Sequence, residues 1–199
     1  MTPPRIPDYE IRAAREGDLP AIMEIGNHYI LNTVLTFALE PRKLADFTST
    51  YDSIASKGFP YIVAASTGSS SPPTILGYAS ASQFRATLGA YEHTAEISLY
   101  CHPSYKGGGV GTRLLGNLLG ALRNPSAHAG CFPGAERGVE PRVVKQVLAV
   151  MAVDELAEGN GLGLRDYYVR NGFEPSGHLK RVGFKFGRWI DTMYLQLTL

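Results

Sequence analysis

With 199 residues, 44% of them hydrophobic and 19% charged, the chain has the size and composition of a soluble globular domain that buries a core of its own. Nineteen Lys and Arg against eighteen Asp and Glu leave a formal charge of +1, which excludes a global field for nucleic acid or an acidic membrane and favours a small-molecule partner. No secretory leader and no apolar run of about 18 residues occurs, so a cytoplasmic protein is expected; Cys101 and Cys131 supply neither a disulfide framework nor zinc-ligand spacing, and Cys101 reads as a buried free thiol.

Residues 11–13 predict a short opening strand. Asp18 is placed to cap a helix in which Leu19, Ile22, Met23, Ile25, Tyr29 and Ile30 recur at helical spacing. Pro41 suits a first helical position, and Leu44, Phe47, Tyr51 and Ile54 predict a second helix that stops near Gly58. Residues 61–65 and 75–82 are β-rich, and the Gly-, Ser- and Pro-filled cluster 67–74 between them predicts a hairpin with a long loop. Residues 94–102 alternate, with Ala95, Ile97, Leu99 and Cys101 on one side and Glu96, Ser98 and Tyr100 on the other, the period of a fourth strand. From Val110 the period turns helical, as Val110, Leu114, Leu115, Leu118, Leu119 and Leu122 form one stripe.

Residues 123–142 hold Asn124, Pro125, Gly130, Pro133, Gly134, Gly138 and Pro141, too many breakers for a regular element; they predict an inserted surface loop, mobile rather than functional. The nearly continuous apolar run 143–153 predicts a central strand covered on both faces. A further helix precedes Gly172, and strands near 178–184 and 189–197 close the chain. The expected order is β-α-α-β-β-β-α-β-α-β-β.

The junction Lys106-Gly107-Gly108-Gly109-Val110-Gly111-Thr112 lies between strand and helix, where amides left unpaired at the helix start attract an anion and glycines let a pyrophosphate approach the backbone. The glycines alone fit a ligand-free turn equally well. A Walker loop fits poorly, because the lysine precedes the glycines and Arg113 follows Thr112. A dinucleotide fingerprint also fits poorly, since the loop lies past mid-chain rather than in an early βαβ unit.

The string His102-Pro103-Ser104-Tyr105-Lys106-Gly107-Gly108-Gly109-Val110-Gly111 resembles the Arg/Gln-x-x-Gly-x-Gly/Ala signature of the GNAT acyltransferase superfamily, with Lys106 in place of the usual Arg or Gln. Across nearly the whole chain except the inserts, the resemblance narrows to the phosphinothricin and methionine sulfoximine N-acetyltransferases. It is carried by Ile11-Arg12-Ala13-Ala14, Asp18-Leu19-Pro20-Ala21-Ile22, Asn27-His28, Leu31-Asn32-Thr33, Glu40-Pro41, Gly77-Tyr78-Ala79-Ser80, Phe84-Arg85-Ala86, Ala90-Tyr91, His93-Thr94-Ala95-Glu96, Gly177-His178-Leu179 and Lys185-Phe186-Gly187-Arg188-Trp189.

The resemblance implies a single α/β (α+β) domain over 1–199, with a mixed, mostly antiparallel sheet of about seven strands flanked by about four helices. It implies acetyl-CoA as co-substrate, no metal, a small amino-acid-like amine as acceptor, and a homodimer. By the same resemblance the donor contacts are Leu99, Tyr100, Cys101, Lys106, Gly107, Gly108, Gly109, Val110, Gly111 and Thr112, with Asn160 or Gly161 a further one; Val110's side chain reads as core. An amine mostly protonated at pH 7 needs a base, and Glu96 is the carboxylate that matches, unless it is an ordinary exposed strand residue. Tyr168, in a Tyr-x-x-x-Gly-Phe arrangement where the narrower branch carries His, matches the acid for the leaving thiolate; Tyr167 beside it is the alternative, and core packing the plainer role for both. Arg85 and Tyr91 stand where the branch grips the acidic end of its acceptor, and Asn32 and Thr33 are further acceptor candidates or a helix-end cap. Thr87 replaces a second basic residue, and the segment to Tyr91 is one residue longer. The rival readings are acetylation of a peptide or protein amine and a non-catalytic acyl-CoA-binding module.

Overall fold

The structure, a computed structural model, describes residues 6–68, 72–156 and 158–199. Its elements in chain order are β1 (Tyr9–Ala13), α1 (Leu19–Asn32), α2 (Leu44–Ser56), β2 (Tyr61–Ser66), β3 (Ile75–Gln83), β4 (Thr94–Cys101), α3 (Val110–Arg123), β5 (Gln146–Val153), α4 (Gly163–Arg170), β6 (Glu174–Lys185) and β7 (Arg188–Thr198), with short 3-10 turns between them. That is the expected alternation. Among the described residues the strands form a seven-stranded sheet of order β1-β2-β3-β4-β5-β7-β6. β4 and β5 run parallel, while β1–β2, β2–β3, β5–β7 and β6–β7 are antiparallel. The loop expected at 67–74 lies partly outside the described residues, at 69–71. No described helix is long and apolar enough to cross a membrane.

The chain divides into two compact units, one from the segments up to Gly26, Arg42–Ser82 and Ser98–Val143, the other from Asn27–Pro41, Gln83–Ile97 and Val144–Leu199. In the first, β2 pairs with β1 from Tyr9↔Ser66 to Ala13↔Ile62 and with β3 from Tyr61↔Ser80 to Ala65↔Ile75. The leucine stripe of α3 is sequestered as its period requires, with Val110, Leu114, Leu115 and Leu118 at or near zero exposure, and each fully buried leucine contributes about 1.5–3 kcal/mol. Aromatic rings link α2 to the sheet: Tyr51 meets Tyr61, Tyr61 meets Tyr78, and Tyr78 meets Tyr100 at centroid distances of 6.1, 6.1 and 5.5 Å. Gly26 lets α1 settle there, because a side chain would strike the ring of Phe47.

Three local expectations for this unit are corrected. Asp18 does not cap α1; it ends a 3-10 turn, Glu16–Asp18, and its carboxylate turns back to accept from Arg15 N at 2.8 Å and Arg12 Nη1 at 2.7 Å. A buried carboxylate takes the guanidinium within reach in preference to amides further along. Pro41 does not open α2, which starts at Leu44, where Asp46 accepts from Lys43 N at 2.8 Å and caps the first turn. Segment 123–142 is not irregular throughout. It contains 3-10 turns at Pro125–Cys131 and Ala135–Arg137, and its stretch from Cys131 to Gly134 is buried. Arg142 N donates to Gly58 O at 2.8 Å, and Arg137 pairs with Glu16 at 3.1 Å and Asp52 at 3.4 Å.

In the second unit, β5 pairs with β4 from Thr94↔Gln146 to Ile97↔Ala149 and with β7 from Gln146↔Thr198 to Val153↔Asp191. The strand begins three residues later than expected, and Val143 is exposed. β6 and β7 pair from Glu174↔Gln196 to Lys185↔Arg188, with a register shift between Leu179 and Gly183. Asp191 anchors that bulge, taking Lys180 Nζ at 2.9 Å, Arg181 N at 2.8 Å and His178 Nε2 at 2.9 Å. The hydrogen bond from Lys180, then that from the Arg181 amide, pulls the Asp191 carboxyl down to about 2. Segment 33–37 lies against this hairpin: Val34 packs with Ala152 and Ile190, Phe37 meets Gly183, and buried Lys185 donates to Thr36 O at 2.7 Å. Desolvation lowers the Lys185 pKa, and nothing in the sequence pattern marked this lysine as buried.

Candidate active site

The glycine loop belongs to the first unit. After β4, His102 Nδ1 accepts from Ser104 N at 3.2 Å and sets a 3-10 turn, Pro103–Tyr105, that delivers the chain to Lys106. Gly107 and Gly109 take φ of +81° and +80°, conformations an L-side chain resists, and nothing lies within 4 Å of where their side chains would be. Gly109 is the N-cap of α3, and the first helical bond runs from Arg113 N to its carbonyl at 3.0 Å. The amides of Val110, Gly111 and Thr112 thus precede the ladder at the positive end of a 14-residue helix. Lys106, Gly107, Gly108, Gly109 and Thr112 are exposed, whereas Val110 is buried, as core packing requires. A cationic, amide-rich turn of this kind suits a diphosphate, with the Ile6 side chain lying over Gly108.

The end of β4 supports the loop. Gly111 packs beside Cys101 and Leu99; a side chain there would come 3.3 Å from Cys101 Sγ and 3.7 Å from Leu99 Cδ2. Cys101 is half-buried rather than buried, because it stands where the strand gives way to the glycines; burial still raises its pKa, with Lys106 opposing. Tyr100 lies on the Tyr78 ring.

The second unit holds Glu96 and Tyr168. Glu96 sits on β4 between buried Ala95 and Ile97, opposite Leu148 of β5, which in turn faces Gln196 of β7. Its carboxyl is half-buried, and desolvation raises its pKa above the ordinary value. Glu96 is thus not a fully solvated strand residue, and its carboxylate takes a proton more readily than an exposed one does.

Tyr168 is buried in α4, its ring edge-on to Phe173 at 5.2 Å and to Tyr167 at 5.4 Å. Its carbonyl accepts from Asn171 N and Phe173 N, closing the helix ahead of Gly172. The Tyr167 hydroxyl oxygen is also buried. Asn160 is exposed at φ +53° between Gly159 and Gly161, both left-handed as well.

Arg85 and Tyr91 share one turn-rich segment. Phe84 N donates to Thr94 O at 3.0 Å, Leu88 N to Arg85 O at 2.9 Å, and Tyr91 N to Leu88 O at 3.1 Å. Arg85 is exposed and held at φ +44°, a conformation that costs a non-glycine residue about 1–3 kcal/mol and that surrounding structure must maintain. Phe84, which sequence reading did not single out, stands between the two: the Arg85 guanidinium carbon is 5.3 Å from its centroid, and the Tyr91 ring meets it edge-on at 5.2 Å. Its signal is its place in the string Phe84-Arg85-Ala86 that carries the family resemblance. Asn32 and Thr33 are engaged with the end of α1, Asn32 Nδ2 donating to His28 O at 2.9 Å and Thr33 Oγ1 to Tyr29 O at 2.8 Å, the bonding of a helix-end cap.

Known proteins resemble this chain along nearly its whole length. The Acetyltransferase (GNAT) family model matches residues 28–137. A phosphinothricin N-acetyltransferase of Alcaligenes faecalis is 34% identical over 95% of this chain and 82% of its own length. An L-methionine sulfoximine/L-methionine sulfone acetyltransferase of Pseudomonas paraeruginosa is 32% identical over 95% and 94%. Among solved structures, a phosphinothricin acetyltransferase from Sinorhizobium meliloti in complex with AcCoA superposes with a TM-score of 0.75 at 31% identity, covering 96% of this chain and 88% of that one. On the family match and these chain-long likenesses, the protein belongs to the GNAT acetyltransferase family.

Proposed function

We propose that this chain is an acetyl-CoA-dependent N-acetyltransferase that acts on the amine of a small amino-acid-like acceptor of the phosphinothricin or methionine sulfoximine type, by direct transfer. The observation that carries the reading is Glu96, a half-buried carboxylate whose pKa burial raises, on the strand that leads into the glycine loop. The likeness to relatives named for those two acceptors supports the acceptor class.

In this reading Glu96 takes the amine proton, directly or through water, so that nitrogen can attack the acetyl carbonyl. The C–N bond forms, the C–S bond breaks, Tyr168 protonates the departing sulfur, and the extra proton left on nitrogen passes to the tyrosinate, giving the neutral amide and the free thiol. Acetyl-CoA supplies the activated acetyl group. Gly107, Gly108, Gly109, Gly111 and Thr112 hold its diphosphate through backbone amides, with Lys106 beside them, and Leu99, Tyr100, Cys101 and Asn160 flank the pantetheine arm. Arg85 and Tyr91 orient the acidic end of the acceptor, and Asn32 and Thr33 border it from the end of α1. We further take residues 1–199 as a single acetyltransferase domain with an insertion at 123–142, working in the cytoplasm as a homodimer without a metal.

The test is thiol release from acetyl-CoA with a panel of amino acids, phosphinothricin and methionine sulfoximine among them, with each product identified by mass. Turnover with none of the amines refutes the enzyme reading. Faster turnover with peptides than with free amino acids transfers it to a peptide N-acetyltransferase, and tight acetyl-CoA binding without product to a binding module.

A further inference from the structure

We infer that Phe84 is a positioning residue for the acceptor, the platform on which both Arg85 and Tyr91 are set; the inference rests on the acceptor reading above. Two observations converge on this ring. The Arg85 guanidinium lies over it at 5.3 Å, within cation–π range, and the Tyr91 ring stands edge-on to it at 5.2 Å. Arg85 is an exposed residue in a left-handed conformation, so its own backbone favours leaving this geometry. An unsupported arginine side chain loses rotamer freedom on being fixed, and a preformed contact removes part of that loss from ligand binding.

The backbone of Phe84 adds a second function. Its N–H donates to Thr94 O at 3.0 Å, two residues before Glu96, which closes segment 84–94 at its base. Phe84 therefore ties the strand bearing the carboxylate to the turn bearing the anion-recognising groups. Its side chain sets the spacing of Arg85 and Tyr91 within that turn. The ligand group this arrangement takes is a carboxylate, phosphinate or similar oxyanion on the acceptor.

The experiment measures kcat and both KM values for wild type, Phe84→Leu, Phe84→Met, Phe84→Tyr and Arg85→Ala, using the fastest amino acid of the panel and the same amino acid with its acidic group converted to an amide. Phe84→Leu and Phe84→Met should raise the acceptor KM about tenfold, the scale of losing one cation–ring and one ring–ring contact. They should leave kcat and the acetyl-CoA KM within about twofold, a uniform-binding effect. Phe84→Tyr should restore the wild-type value, and the amide should show no difference between wild type and either variant, because it lacks the group the platform serves. Equal loss with acid and amide, or an unchanged acceptor KM in both apolar variants beside a raised one in Arg85→Ala, overturns the inference while leaving the acetyltransferase reading intact. A wild type that acetylates no amine overturns both.

Discussion

Replacing Glu96 with Gln should make the protein slower and more stable at once. Burial raises the Glu96 carboxyl pKa, so the folded chain holds this proton more tightly than the unfolded chain does. The stability Glu96 contributes is therefore fully present below its ordinary value of 4.5 and lost as pH rises through the raised value; at neutral pH the ionised carboxylate is a cost. Gln keeps the volume between Ala95 and Ile97 and removes the charge, so the variant should melt higher than wild type at pH 7, with the difference vanishing below pH 4.5. Its rate should fall by about 10²–10⁴, or roughly 3–5 kcal/mol on the barrier, the contribution of a positioned general base. Wild type should lose activity as pH falls through the raised Glu96 value, and the variant should lack that limb. The assay is thiol release against pH at saturating acetyl-CoA, paired with thermal melts at the two pH values. A variant that keeps wild-type turnover, or one that retains the acidic limb, refutes the assignment; a variant that melts lower than wild type at pH 7 refutes the account of its burial.

Tyr168→Phe keeps the ring packing on Phe173, so it should fold normally and lose about a hundredfold in kcat, whereas Tyr167→Phe should lose little; the reverse ranking in kinetics would assign the acid to Tyr167. Gly109→Ala forces a Cβ onto a residue at φ +80°, costing about 1–2 kcal/mol and raising the acetyl-CoA KM. Gly108→Ala needs only the tip of the Ile6 side chain to move, so it should be milder in melts and in cofactor titration alike. Asp191→Asn removes a carboxylate held at about 2, whose stabilisation is present above the ordinary 3.8 and lost as pH falls towards 2. Its melting deficit should therefore be large at pH 7 and shrink in acid; a constant deficit would point to packing instead.

Much of the fold could be read from periodicity because single elements obey single periods. The α3 stripe and the alternation of β4 are examples, and the glycines before Val110 mark the turn between them. What escaped was decided by partners elsewhere in the chain. Asp18 has the residue type and position of a cap, yet Arg12 on β1 claims its carboxylate. The breakers in 123–142 predict an inserted surface loop, whereas Gly134 within it and Gly58 before it serve close backbone approach. Gly134 lies against Ala55 O and Gly58 against Glu140 O, which lets a proline- and glycine-rich segment bury its middle. A one-chain pattern shows that a glycine is present and not what it approaches.

The site divides along the same line. The glycine loop is legible because it is local: its anion-suited groups are backbone amides whose directions follow from the sequence of glycines and the helix start. The proposed acceptor side depends on side chains fixed by other side chains, and there local rules fail in an informative way. Arg85 adopts a conformation that a non-glycine residue resists, and it does so in the turn where the family resemblance implies that Thr87 replaces a basic residue and that the segment is one residue longer. If that turn selects the acceptor, strain and departure coincide because an inserted residue must be absorbed without displacing Phe84, whose amide is fixed to Thr94. Shortening the turn by deleting Thr87 should then relax Arg85 out of the left-handed region and change which amino acids are acetylated, with the acetyl-CoA KM unaffected. Panel kinetics that shift for donor and acceptor together would place selectivity outside the turn.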